Sequence, residues 1–156
     1  MRKRIIETEH PVRPEAGYLD LESLAQVEVT SEDPAHPIEA ALLPGRGSGW
    51  RAAKPGKQTI RLLFDRPQSL QRIELCFEER DTARTQEYVL RWFDDSGRGG
   101  HEILRQQWNF SPGGSTREDE SHRLQLAEVS ALELEITPAI GECDSAMASL
   151  ARLRLV

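Results

Sequence analysis

Long apolar runs are missing from this sequence. No stretch approaches the roughly 20 residues that a helix needs to cross a bilayer, so the expectation is a soluble chain with no membrane partner. Cysteine is scarce: only Cys76 and Cys143 occur, and Cys76 sits inside an apolar strand pattern, which favours two reduced thiols over a disulfide framework. Arg2, Lys3 and Arg4 imitate the start of a secretion signal, but Ile5 and Ile6 give way at once to Glu7, Thr8, Glu9 and His10. With no apolar core region to thread across a membrane, the expected compartment is cytoplasmic. A basic excess is also lacking. The net charge of −6 repels phosphate and forfeits the counterion release that drives bulk nucleic-acid binding, so no nucleic-acid partner is expected.

Helical periodicity is nearly absent, whereas alternation of period two recurs along the chain. Ile60, Leu62 and Phe64 alternate with Thr59, Arg61 and Asp65. After the turn Asp65-Arg66-Pro67, Ile73, Leu75 and Phe77 point inward. Tyr88, Leu90 and Trp92 alternate with Val89, Arg91 and Phe93, so both faces of that strand carry apolar bulk and it belongs at the centre of a sheet. Asp94 to Gly100 is dense in turn formers and connects to a strand over Ile103 to Trp108. Leu124 and Leu126 mark a short strand. Leu132, Leu134 and Ile136, then Ala151, Leu153 and Leu155, supply two more inward faces, and an early strand around Val27 and Val29 brings the number to about eight. The fold class is therefore all-β, an antiparallel β-sandwich of jelly-roll type. At 156 residues this is one domain, residues 21–156, behind an irregular lead-in over residues 1–20.

In an antiparallel sandwich successive connections alternate between its two ends. The short ones, around Asp65 to Ser69, Asp94 to Gly100 and Glu128 to Ser130, fall at one end. The long ones, around Ser31 to Lys57, Glu78 to Thr85, Ser111 to Glu120 and Pro138 to Ala146, fall at the other. Rigid scaffolds present binding residues on such loops. That end collects the candidate ligand-binding residues His36, Arg51, Glu79, Arg84, Trp108 and Asn109, together with Trp50 and Arg80.

Each candidate has a plainer alternative. Trp108, at a strand end, offers a stacking platform or core bulk; Trp50 offers a ring for a sugar face or, more often at such a position, core bulk; Trp92 reads as core. His36, between Pro34 and Pro37, is a hydroxyl partner or a solvated loop histidine. Arg84 and Arg51 offer forks of donors to vicinal hydroxyls or a carboxylate, or else loop-stabilising ion pairs with Glu78, Glu79 or Asp81. The run Arg117-Glu118-Asp119-Glu120-Ser121-His122 reads as a solvated charged face, because strand alternation splits its carboxylates between two sides and so argues against a metal site. Gly45-x-Gly47-x-Gly49 lacks the lysine and serine of a phosphate-cradling loop and reads as turn-rich. No nucleophile stands beside a base with an orienting third group, and Cys143 has only Glu142 and Asp144 beside it, which disfavour a thiolate. No catalytic residues and no cofactor are assigned. A carboxylate pair for glycoside hydrolysis on the acidic loops stays open as a lesser alternative.

Gly49-Trp50-Arg51-Ala52-Ala53, followed by Gln58 through Pro67, resembles the coagulation-factor type C or discoidin family, a branch of the galactose-binding-like domains. Glu87 through Gly97 is similar to that family's central strand and hairpin. Leu132 through Ile136 and Ala148 through Leu155 are similar to its closing pair. The resemblance implies a non-catalytic module that binds glycans, lipid head groups or proteins through loops at one end; fold alone does not choose among them. Polar loop tips argue against lipid. Carbohydrate is the leading partner and an intracellular protein partner the alternative. Many members hold calcium before the tryptophan, but Leu42 through Ser48 contains no carboxylate, and a hard cation wants six to eight oxygen ligands, so no metal is expected.

Overall fold

The computed structural model describes residues 17–141 and 145–156. Most of the lead-in, and Cys143 with its neighbours, lie outside the described residues. Two single-turn helices, α1 (Leu21–Leu24) and α2 (Glu39–Leu42), accompany eight strands. These are β1 (Ala25–Val29), β2 (Trp50–Pro55), β3 (Gln58–Glu78), β4 (Arg84–Phe93), β5 (His101–Phe110), β6 (Arg117–Thr137), β7 (Met147–Leu150) and β8 (Arg152–Leu155).

All the strand pairs are antiparallel. The first half of β3 lies between β1 and the second half of β6, which continues through β4 to β5. The second half of β3 lies between β8 and the first half of β6. These halves form opposite layers of a sandwich. Phe77 of β3 and Tyr88 of β4 stack with ring centroids 5.1 Å apart. Two strand spacings within one sheet would hold β3 and β4 about 10 Å apart, so that contact is made face to face.

The segments expected to be turns, Asp65 to Ser69 and Glu128 to Ser130, are instead bends inside β3 and β6. Register slips between Leu63 and Arg72, and Glu128 sits opposite them at φ 57. Pro67 cannot donate to the ladder, and the extra residues form bulges that fold the β3–β6 ribbon over without breaking it. The alternation elsewhere is as expected, except that Ala151, expected inward, lies between β7 and β8 and is half-buried. Ile60, Leu62, Ile73, Leu75, Phe77, Tyr88, Leu90, Leu134, Ile136, Leu153 and Leu155 are all buried. Trp92 is only partly buried and stacks on His101 at 4.6 Å.

Cross-links between connections show where the loops meet. Glu79 N–H donates to the Thr116 carbonyl (2.9 Å), Ile140 N–H donates to the Thr85 carbonyl (2.9 Å), and Gly56 N–H donates to the Ala146 carbonyl (3.1 Å), while within the 31–57 connection Asp33 N–H donates to the Arg51 carbonyl (2.8 Å). The long connections therefore gather at one end, as the alternation argument requires.

Candidate functional site

At that end β2 and β7 form a two-stranded platform, with Trp50 opposite Leu150 and Arg51 opposite Ser149. The 31–37 loop is clamped to its edge: besides the Asp33 bond, Arg51 N–H donates to the His36 carbonyl at 3.1 Å. The loop is stiffened from within. The Asp33 carboxylate accepts from Ala35 N–H (2.9 Å), and the Glu32 carboxylate accepts from Ile38 N–H (2.8 Å). The result is a concavity of about 190 Å³ lined by His36, Ser48, Trp50, Arg51, Glu78 and Ser149, among others.

Trp50 supports this concavity from below and offers no stacking face. It is 1% exposed, and its indole N–H donates to the Ser31 carbonyl at 3.1 Å. Gly49 brings the chain into β2 at φ +99, so close to the β7–β8 junction that a Cβ would stand 2.6 Å from the Leu150 oxygen. Only glycine fits such a contact at such a φ. Arg51 is exposed and His36 half-buried, and neither side chain has an ion pair among the described residues. Glu78 accepts from Arg117 at 2.8 Å, which offsets its charge. The concavity therefore presents a guanidinium fork, an imidazole and serine hydroxyls, a set suited to directional hydrogen bonds with hydroxyl or carboxylate groups.

The other four candidates stand elsewhere. Arg84 is not an exposed donor: its side chain is 3% exposed, and its Nε donates to Glu79 at 2.8 Å. Its Nη1 donates to Gln86 (3.1 Å) and to the Pro138 carbonyl (2.6 Å), and its guanidinium lies 4.9 Å from the Phe110 ring centre. Glu79 and Arg84 thus form the loop-stabilising ion pair that was the plainer alternative. The signal was in the sequence, since Arg84 shares its parity with the inward Tyr88 and Leu90. Trp108 and Asn109 both lie on β5, which runs on past the expected end at Trp108, and they cannot floor one pocket together. Trp108 pairs with inward Gln86 and packs against the core, whereas Asn109 pairs with Thr85 on the outer face and accepts from its hydroxyl at 2.6 Å. Sequence reasoning missed Ser149 as a neighbour of Arg51, because the β2–β7 pairing joins segments far apart in the chain.

The Arg117 to His122 run is not wholly solvated. Glu118 is 0% exposed, and burial pushes its carboxyl up to about 7. The inner face of β6 continues through Glu120 and His122, whose Nε2 lies 3.2 Å from Glu120 and 3.4 Å from the Tyr88 hydroxyl. Among the described residues no group of three or more His, Cys, Asp or Glu side chains is placed to hold a metal ion. Cys76 is buried, and its thiol is pushed up to about 12, chiefly by desolvation.

No protein-family model and no curated protein matches the chain. Its fold does match solved structures. CpGH89CBM32-5 from Clostridium perfringens, in complex with GalNAc-β-1,3-galactose, is 17% identical with a TM-score of 0.62, covering 88% of this chain and 98% of that one. The family 32 carbohydrate-binding module of C. perfringens NanJ, in complex with galactose, is 14% identical with a TM-score of 0.61, over 88% and 96%. The family 32 module of AlyQ, in complex with 4,5-unsaturated mannuronic acid, is 14% identical with a TM-score of 0.59, over 85% and 95%. These modules are discoidin-type, galactose-binding-like domains. The chain shares that fold: an all-β sandwich with its long connections at one end.

Proposed function

We propose that the chain is a non-catalytic carbohydrate-binding module that seats one sugar residue in the concavity between His36, Arg51 and Ser149. The observation that carries this reading is the pair His36 and Arg51, held by a shared backbone clamp on a rigid platform with their side chains uncommitted among the described residues. The volume, about 190 Å³, is below the roughly 300–1,000 Å³ of drug-sized sites and suits a single ring. Solved structures of the same fold hold galactose, the disaccharide GalNAc-β-1,3-galactose and 4,5-unsaturated mannuronic acid. Hydrolysis of a glycoside needs two carboxyl groups flanking the bond. Glu78, the one carboxylate lining the concavity among the described residues, is occupied by Arg117.

Titration calorimetry with galactose, N-acetylgalactosamine and galacturonic acid at millimolar concentration tests the proposal. At least one sugar binds the parent protein, and His36→Ala and Arg51→Ala each weaken that binding about tenfold or more, roughly 1.4 kcal/mol, at unchanged melting temperature. If no sugar on a broad glycan array binds and one stoichiometric protein co-purifies, the chain is an adaptor module instead.

A further inference from the structure

We propose that Glu118 is a proton-operated switch that sets how firmly Arg84 clasps the loops around the candidate site. Four side chains form a line from the interior to that end of the sandwich: Glu118, Gln86, Arg84 and Glu79. Glu118 is 0% exposed on the inner face of β6, and neither of its oxygens has a hydrogen-bond partner among the described residues. Gln86, 1% exposed, lies alongside it and gives its carbonyl oxygen to Arg84, while its own Nε2 goes without a partner. Arg84 holds Glu79 of the 79–83 turn and the Pro138 carbonyl at the start of the 138–141 segment. Glu79 N–H in turn donates to Thr116. One buried guanidinium thus ties together two of the four connections at the binding end, and the Glu79 backbone joins a third to them.

A guanidinium remains charged at any physiological pH, so the charge that can change in this line is a carboxylate's. With Glu118 protonated, Arg84 is balanced by Glu79 alone and the clasp is closed. With Glu118 ionised, two carboxylates compete for one guanidinium, and a desolvated anion with no hydrogen-bond partner draws on Arg84 or on water. Either response loosens Glu79 and the turn it anchors. Burial has already moved the Glu118 carboxyl to about 7, against the attraction of Arg84 and the pull of the neighbouring Gln86 amide. The charged or titratable groups around it are Arg84 on β4, Glu79 beyond it, and Glu120 and His122 along the same face of β6. Trp108 and Phe110, the β5 partners of Gln86 and Arg84, carry no charge.

Backbone amide exchange of the whole chain, corrected for the intrinsic pH dependence, reads the clasp without any sugar. Protection of residues 79–83, 111–116 and 138–141 falls about tenfold relative to the amides of β3 and β4 between pH 6 and 8, and Glu118→Gln holds the low-pH protection throughout. Loop protection that does not change with pH in the parent protein, or a transition that survives in Glu118→Gln, overturns the proposal. Should Glu118→Gln fail to fold, carbon-13 NMR of the Glu118 carboxyl in the parent protein decides. A midpoint near 7 that falls in Glu79→Gln, where Arg84 is left to Glu118, supports the switch, and a midpoint in the ordinary carboxylate range or one indifferent to Glu79 refutes it. Sugar affinity enters neither readout, so the switch and the binding site fail separately.

Discussion

Phe77 and Glu118 are cross-strand partners in the β3–β6 ladder, and both are 0% exposed on its inner face. Phe77 stacks on Tyr88, whereas Glu118 stands at the same depth with no hydrogen bond to its carboxyl oxygens among the described residues. An aromatic ring gains from that burial, and a carboxylate gains only as the neutral acid. One rung of the ladder therefore contains both a hydrophobic contact and a titration.

That titration sets a pH dependence of opposite sign to the usual acid unfolding. The Glu118 carboxyl titrates at about 7 in the folded chain against 4.5 as the reference value, so between these limits the folded state binds more protons than the unfolded one. Its contribution is fully present below about 4.5, declines as pH rises, and is gone above about 7. Between pH 5.5 and 8, urea melts should show a loss of about 2 kcal/mol in the parent protein and little change in Glu118→Gln. Glu87 and Asp119, held low chiefly by Gln107 and Arg117 respectively, act with the opposite sign, and their effect is confined to lower pH. A parent protein whose stability is flat or rising across pH 5.5 to 8 would contradict this assignment.

Leu62 and Leu134 are each 2% exposed, on the adjacent strands β3 and β6 in the layer that also holds β1, β4 and β5. Leu62→Ala and Leu134→Ala should each cost roughly 2–5 kcal/mol, the range for emptying a packed site. Chemical denaturation measures it, and a cost under about 1 kcal/mol would mean that the layers do not close over these residues.

The inward faces of these strands were legible because period-two burial is imposed by backbone geometry and needs only local sequence. The gathering of long connections at one end was legible for a related reason, since direction alternates from strand to strand. What stayed hidden was non-local. Nothing near Arg51 announces that Ser149 lies opposite it, and nothing near Arg84 announces the Pro138 carbonyl that its guanidinium reaches. The kinship of Trp108 and Asn109 was misjudged by nearness in sequence, although two consecutive strand residues must face opposite ways. The bends at Pro67 and Glu128 looked like turns because bulges and hairpins draw on similar residues.

Arg84 and Asn109 differ in what their loss should do. Arg84→Ala leaves Glu79 and the Pro138 carbonyl without their shared donor and should cost about 3 kcal/mol, as removal of one member of a buried pair does. Arg84→Lys should not restore it, since a single ammonium cannot reproduce three directed contacts. Asn109→Ala, on the outer face of an edge strand, should stay within about 0.5 kcal/mol of the parent. Equal melting temperatures for Arg84→Ala and Asn109→Ala would refute the clasp.

Gly49 offers the sharpest test of how the candidate site is built. Its φ of +99 is one that L side chains rarely adopt, and an added Cβ would meet the Leu150 oxygen at 2.6 Å and the Ala151 Cα at 2.8 Å. Both obstacles are backbone, so no side-chain rotation relieves them. Gly49→Ala must push β2 away from the β7–β8 junction or strain the turn, and either response costs more than about 1 kcal/mol. Because Trp50 and Arg51 follow directly, displacement of β2 also moves the Arg51 fork relative to Ser149 and His36. Gly49→Ala should therefore weaken sugar binding along with stability, whereas Gly56→Ala, at φ +87 with open space around its Cβ, should cost stability alone. Calorimetric titration of the two variants, compared with their melting curves, separates backbone strain from displacement of the site. A Gly49→Ala protein that melts lower yet binds sugar as the parent does would place the ligand away from the β2–β7 platform.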